Sequence, residues 1–171
     1  MRVLDGLKRR VPNRYLFAMS NSQNSSVVFS TLSEVEARVV LSRNSLGRVA
    51  YARHNRVDIE PLYYVVNADW MYGRTSAGSK IATLAHQQWC AFEVDEVRSM
   101  FDWTSVVVQG SFHVLNPAGD VTAYQHGLAL LRAFYAGTLM DDDDAPHRTT
   151  LFRISIGSIS GRSAQPAKRD P

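Results

Sequence analysis

Two periods organise the hydrophobic and polar positions of this chain: alternation marks strands, and apolar residues three and four apart mark helices. Residues 1–30 follow neither. They are basic and polar, with an unbroken polar run at 21–26, and are predicted to form a flexible extension. Order begins at Thr31. Ser33 and Glu36 make the S-x-x-E capping pattern ahead of an apolar stripe of Val35, Val39 and Val40. That predicts a helix over about 33–43, stopping near Asn44.

Strands follow. Residues 47–54 and 57–66 lie on either side of Asn55-Arg56, a plausible hairpin connection. Pro61 has no N–H to give a ladder, so the second of these strands lies at an edge or carries a bulge. Asn67-Ala68-Asp69 turns the chain into a third strand at 70–72, and Ile81, Leu84 and Ala85 have the spacing of a short helix. A fourth strand alternates over 89–97, and 104–115 is apolar enough to be buried on both faces. After a turn at 116–119, Val121, Tyr124, Leu128, Leu131 and Tyr135 share one helical face that ends at Gly137, with Gly127 inside it. Residues 149–156 read as a sixth strand. Six strands interleaved with a few helices predict a mainly β fold of the α+β class, a closed or partly open β-barrel with flanking helices.

Composition narrows the class. A chain of 171 residues, 45% hydrophobic and 20% charged, fits one ordinary soluble domain. Its longest apolar runs, such as Val106-Val107-Val108, are far shorter than the roughly 20 residues of a membrane span. A cytoplasmic protein is the expectation. The net charge of +3 is uneven: residues 1–14 carry +4 and residues 162–171 carry +2, which leaves −3 for the rest. The basic character belongs to the ends and does not point to a nucleic-acid-binding domain. Cys90 is the single cysteine, which excludes an internal disulfide, and its alternation with Phe92 and Val94 makes it a core thiol. The five histidines have no metal-binding spacing, and Asp141–Asp144 lacks the Gly and Glu of an EF-hand, so it reads as a solvated acidic loop.

The stretch with most chemistry is Tyr72-Gly73-Arg74-Thr75-Ser76-Ala77-Gly78-Ser79-Lys80, between a strand and a helix. Hydroxyls and N–H groups at a helix start suit a phosphate. Arg74 offers a planar fork of donors and Lys80 a point charge. The same residues also suit a polar capping loop with both cations solvated. Gly73 and Gly78 have Walker A spacing, but Ser79 stands where that motif has its Lys.

Several short motifs occur in order: Leu46-Gly47-Arg48-Val49-Ala50, Pro61-Leu62-Tyr63-Tyr64, the Arg74–Lys80 stretch, Phe92-Glu93-Val94-Asp95, Trp103-Thr104-Ser105-Val106-Val107-Val108-Gln109-Gly110, and Leu151-Phe152-Arg153-Ile154 with Gly161-Arg162 after it. In this series the chain resembles the flavin-binding split-barrel family that includes pyridoxamine phosphate oxidase-like and nitroimidazole-resistance proteins. The resemblance covers 31–162 and leaves 163–171 as a disordered tail. It implies a six-stranded split barrel that dimerises with itself and binds FMN in a groove between subunits. The phosphate would sit at Arg74, Thr75, Ser76, Ser79 and Lys80, and the ring along the strand with Pro61, Leu62 and Tyr63. Trp103, Ser105 and Val106 would help to complete the groove. Related branches use deazaflavin or haem, which stand as alternative cofactors.

The implied activity is an FMN-dependent oxidoreductase acting on a small reducible molecule, with the chemistry carried by the ring. No dedicated acid or base stands out, which keeps a non-catalytic flavin- or haem-binding protein as the alternative. The C-terminal substrate-binding segment of the vitamin oxidase has no counterpart after Gly161, which argues against synthesis of pyridoxal phosphate itself.

Overall fold

The computed structural model describes residues 27–167; most of the predicted extension lies outside this range. The elements, in chain order, are β1 (Val27–Leu32), α1 (Glu34–Arg43), β2 (Leu46–Arg53), β3 (Arg56–Asn67), β4 (Trp70–Thr75), α2 (Ser79–His86), β5 (Trp89–Ser99), β6 (Asp102–Val114), α3 (Val121–Phe134), β7 (Thr150–Ser155) and β8 (Ser158–Pro166).

Strands β6-β5-β2-β3-β4-β7 are neighbours in that order, and β7 pairs back onto β6, so six strands close a ring. These are the six that the alternation predicts. β8 and β1 extend the sheet beyond β6. Two boundaries are thereby corrected: β1 begins inside the segment assigned to the extension, and β8 runs to Pro166 through the start of the supposed tail. β8 escapes a hydrophobicity reading because its two buried positions are small and lie on opposite faces of the strand, Gly161 beside Val106 and Ala164 beside Trp103. Gly161 and Ala164 are buried, and a Cβ on Gly161 would lie 3.1 Å from Leu32.

β6 serves two partners along one edge. Residues 103–109 pair with β8 and residues 112–114 pair with β7. Gly110 sits at the changeover, where a Cβ would fall 1.8 Å from the Ser155 carbonyl oxygen. The hairpin between β2 and β3 turns on His54 and Asn55, both at positive φ (46° and 60°), one residue earlier than expected. Left-handed backbone at both central residues matches the twist of the strands they join. Residues 56–63 of β3 pair with β2 alone, and only residues 64–67 pair with β4. Pro61 therefore lies on an open edge, where its missing N–H costs no ladder bond.

Inside the ring, Tyr64, Phe92, Phe112 and Phe152 are fully buried. Phe112 and Phe152 stack at 4.8 Å, and Tyr64 meets Phe92 edge-on at 5.0 Å. Truncating such a Phe to Ala costs about 3–5 kcal/mol. The Tyr64 hydroxyl donates to the Leu41 carbonyl at 2.7 Å, which fastens α1 to the barrel. α1 has its capping box, with the Ser33 N–H donating to Glu36 Oε2 at 2.8 Å and the Glu36 N–H to Ser33 Oγ at 3.3 Å. Its buried face is Ala37, Val40 and Leu41, while Val35 and Val39 of the expected stripe are exposed.

α3 packs Ala123, Leu128 and Leu131 over Tyr72, Leu115 and Leu151. Gly127 explains itself here, since a Cβ would lie 2.8 Å from Leu115 and 3.1 Å from Tyr72. Cys90 is buried as expected, and burial pushes its thiol up to about 12.

Candidate functional site

The open edge of β3, the loop at 76–78 and the start of α2 enclose a groove of about 350 Å³. It gathers Pro61, Leu62, Thr75, Ser76, Ser79 and Lys80 from the expected set. Gly78 caps α2 without a side-chain hydrogen bond. The first-turn N–H groups thus have no capping side chain as acceptor, and the helix dipole favours an anion there. Lys80 is mostly buried, with Nζ 2.8 Å from Glu60 Oε2. The buried Tyr51 donates its hydroxyl to Glu60 Oε1 at 2.6 Å. Burial raises the Glu60 carboxyl, but the bonds from Lys80 and Tyr51 outweigh it and hold the group below the usual carboxylate range.

Glu60, Ala77, Gly78, His147 and Arg148 also line the groove. His147 and Arg148 come from the segment between α3 and β7, about seventy positions from the loop, and no local motif marks them. Arg148 is half-buried and forms no ion pair among the described residues.

Arg74 does not line this groove. Its guanidinium grips both carboxylate oxygens of Asp143, with Nη2 2.8 Å from Oδ1 and Nη1 against Oδ2. The Asp143 side chain is 1% exposed and also accepts the N–H groups of Leu139 at 2.8 Å and Ala145 at 2.9 Å. The Arg74 bond, with these N–H donors, keeps its carboxyl well below the usual range. The acidic run at 141–144 is thus not simply a solvated loop, because one of its members is a buried anchor. Arg74 borders a second cavity of about 550 Å³, with Tyr63, Phe134, Tyr135 and Arg148 among its walls. Arg148 belongs to both spaces.

Trp103, Ser105 and Val106 lie elsewhere in this single chain. Trp103 is on the outer face of the sheet, its ring 6.4 Å from that of Phe29. The Ser105 hydroxyl donates to Glu93 Oε1 at 3.1 Å. Val106 points the other way, its side chain fully buried with Ala37 and Val40. The alternation of β6 puts Trp103, Ser105 and Val107 on one face and Val106 on the other.

His113 lines neither cavity; its Nε2 is 2.9 Å from Ser111 Oγ, and burial, then the Arg153 charge, lower its pKa. Among the described residues no three His, Cys, Asp or Glu side chains are placed to hold a metal. No helix among them is long and apolar enough to cross a membrane.

With this geometry in view, residues 33–163 match the family model described as pyridoxamine 5'-phosphate oxidase. The chain belongs to that family. Among solved structures it is similar to an FAD-binding protein from Mesorhizobium loti, at 28% identity and TM-score 0.66, over 82% of this chain and 99% of that one. It shares the fold of the FAD-binding protein from Mycobacterium smegmatis, at 23% identity and TM-score 0.54, over 79% and 97% of the two chains. It also shares the fold of an FAD- and haem-binding protein from Mycobacterium smegmatis, at 20% identity and TM-score 0.59, over 84% and 76%. The comparison with curated proteins returned no match.

Proposed function

We propose that this protein binds a flavin nucleotide by the phosphate of its FMN moiety in the groove over Ser76, Ser79 and Lys80, and serves as an oxidoreductase for a small reducible molecule. The observation that carries this reading is the groove itself. In a member of this family, an uncapped helix start, two hydroxyls and a half-sequestered lysine meet at one end of an open strand edge. The FMN moiety is common to FMN and FAD, so the groove recognises what the two share, and the FAD-binding relative from Mesorhizobium loti fits that reading.

A bound flavin supplies electron and hydride transfer through its ring. The chain's contribution is to hold and orient it: Ser76 and Ser79 as hydroxyl donors, Lys80 as the counter-charge, and the β3 edge around Pro61 as a backbone rail. The larger cavity beside it, walled by Tyr63, Phe134 and Tyr135, gives an apolar space for the reducible molecule.

The active unit is a homodimer. Phe29, Ile59, Tyr63, Trp89 and Val97 all lie on the outer face of the sheet, and each is more than half exposed. An apolar surface that extends across so many strands is the kind a second subunit covers. In that dimer Trp103 and Ser105, which share this face, are the outer-strand residues offered to a groove at the interface.

The test is to load the protein with FMN, add NADH or NADPH, and then supply a quinone or nitroaromatic acceptor. The oxidoreductase reading expects the visible flavin band to bleach with the donor and return with the acceptor. Bound flavin that no donor reduces supports a binding protein without turnover. Light scattering on the same sample reads the oligomeric state, and Ile59→Lys is expected to shift it toward monomer.

A further inference from the structure

We infer that Arg148, and not Arg74, is the guanidinium that meets the phosphate in the groove, and that Asp143 is the positioning residue that puts it there. The inference rests on the flavin reading above. Arg74 is committed: two of its nitrogens serve a carboxylate that is 1% exposed, in a cavity other than the phosphate-like groove. Turning Arg74 toward a phosphate strands a buried carboxylate without its counter-charge, and that is one of the costlier changes a protein interior meets.

Arg148 is in the opposite position. It lines the groove with Lys80, Ser76 and Ser79, and no carboxylate among the described residues lies within ion-pair distance of it. A guanidinium fork matches two phosphate oxygens, and beside the point charge of Lys80 it supplies direction as well as charge.

Residues 135–149 contain no helix or strand, so something must fix where Arg148 stands. Asp143 does this. It accepts the N–H groups of Leu139 and Ala145 while holding Arg74 at the end of β4. Ala145 in turn accepts the Arg148 N–H at 3.0 Å. One buried carboxylate thereby ties the loop to the strand that leads into the phosphate-like segment, and one further hydrogen bond carries that constraint to Arg148. The segment also turns at Leu139, whose φ is 53°, a tight path that these bonds hold.

The experiment titrates the full-length protein and its variants with FMN and with riboflavin, which has the ring but no phosphate. Arg148→Ala is expected to lower FMN affinity roughly ten- to a hundredfold, the range of a charge-assisted hydrogen bond, with riboflavin affinity unchanged. Arg74→Lys keeps the charge beside Asp143 and is expected to leave the FMN-to-riboflavin ratio where it was. Asp143→Asn is expected to lower that ratio, and adding it to Arg148→Ala to lower it no further, because both act on one contact. Arg148→Ala that keeps its preference for FMN, or Arg74→Lys that loses it, overturns the inference and leaves flavin binding standing. Wild-type protein that binds neither compound overturns the flavin reading, and this inference with it.

Discussion

Glu60 stands in the groove with one carboxylate oxygen 2.8 Å from the Lys80 ammonium and the other 2.6 Å from the Tyr51 hydroxyl. Tyr51 is buried, so the carboxylate is held from behind and Lys80 is held by the carboxylate. The arrangement fixes the lysine, but it also sets a negative charge where a phosphate is proposed to lie. A partly exposed charge a few ångströms from the anion opposes binding by about 1 kcal/mol. Glu60→Gln keeps an oxygen for Lys80 and removes the charge. FMN affinity is expected to rise by roughly three- to tenfold at low salt, with a smaller gain at high salt. An affinity that falls instead shows that holding Lys80 matters more than the charge.

The Arg74–Asp143 pair makes stability depend on acid pH in a defined direction. The folded protein holds the Asp143 carboxyl below its ordinary value, chiefly through the Arg74 bond. Its contribution is therefore complete above the unfolded value of about 3.9 and is lost as pH falls below that toward the lower folded value. Melting temperatures of wild type and Asp143→Asn are expected to differ by a constant gap at neutral pH, with wild type higher. The gap narrows as pH falls below about 4. A gap that stays constant into acid means the carboxylate's charge is not what stabilises the loop.

Gly110 is where β6 leaves β8 and takes up β7, and the space for a Cβ is already filled by the Ser155 carbonyl oxygen at 1.8 Å. Backbone cannot yield as a flexible side-chain tip can. Gly110→Ala is expected to break the β6–β7 pairing that closes the ring, with loss of the cooperative melting transition. A variant that melts like wild type contradicts the tight crossing at this point.

The barrel was legible because its strands obey simple rules. Phe92 and Val94 alternate with polar neighbours, Pro61 announces an open edge, and Ser33 with Glu36 announces a helix start. The strand pairings then place the six expected strands in the ring. β8 was not legible. Its buried residues, Gly161 and Ala164, are small and lie on opposite faces; Leu32 and Val106 already occupy the space beside Gly161, and small residues carry no hydrophobic signal. The α1 stripe misled for a related reason: Val35 and Val39 are apolar but face outward, while Ala37 takes the buried place.

The loop from Ser76 to Lys80 was visible as a local cluster of hydroxyls and charge, and the structure keeps those residues together. The roles of Arg74 and Arg148 were not visible, since each depends on Asp143, a residue remote in sequence whose burial follows only from the folded loop. Val106 shows the remaining limit. A motif puts Trp103, Ser105 and Val106 side by side, but a strand sends Val106 to the other face.

The most direct measurement of the central claim is a fluorescence titration of the purified protein with FMN, run beside Lys80→Met. Wild type is expected to bind saturably and more weakly as salt rises, and Lys80→Met to bind at least about tenfold more weakly with the melting temperature little changed. Wild-type protein that takes up no FMN, or Lys80→Met that binds it equally well, would contradict the assignment of this groove to a flavin phosphate.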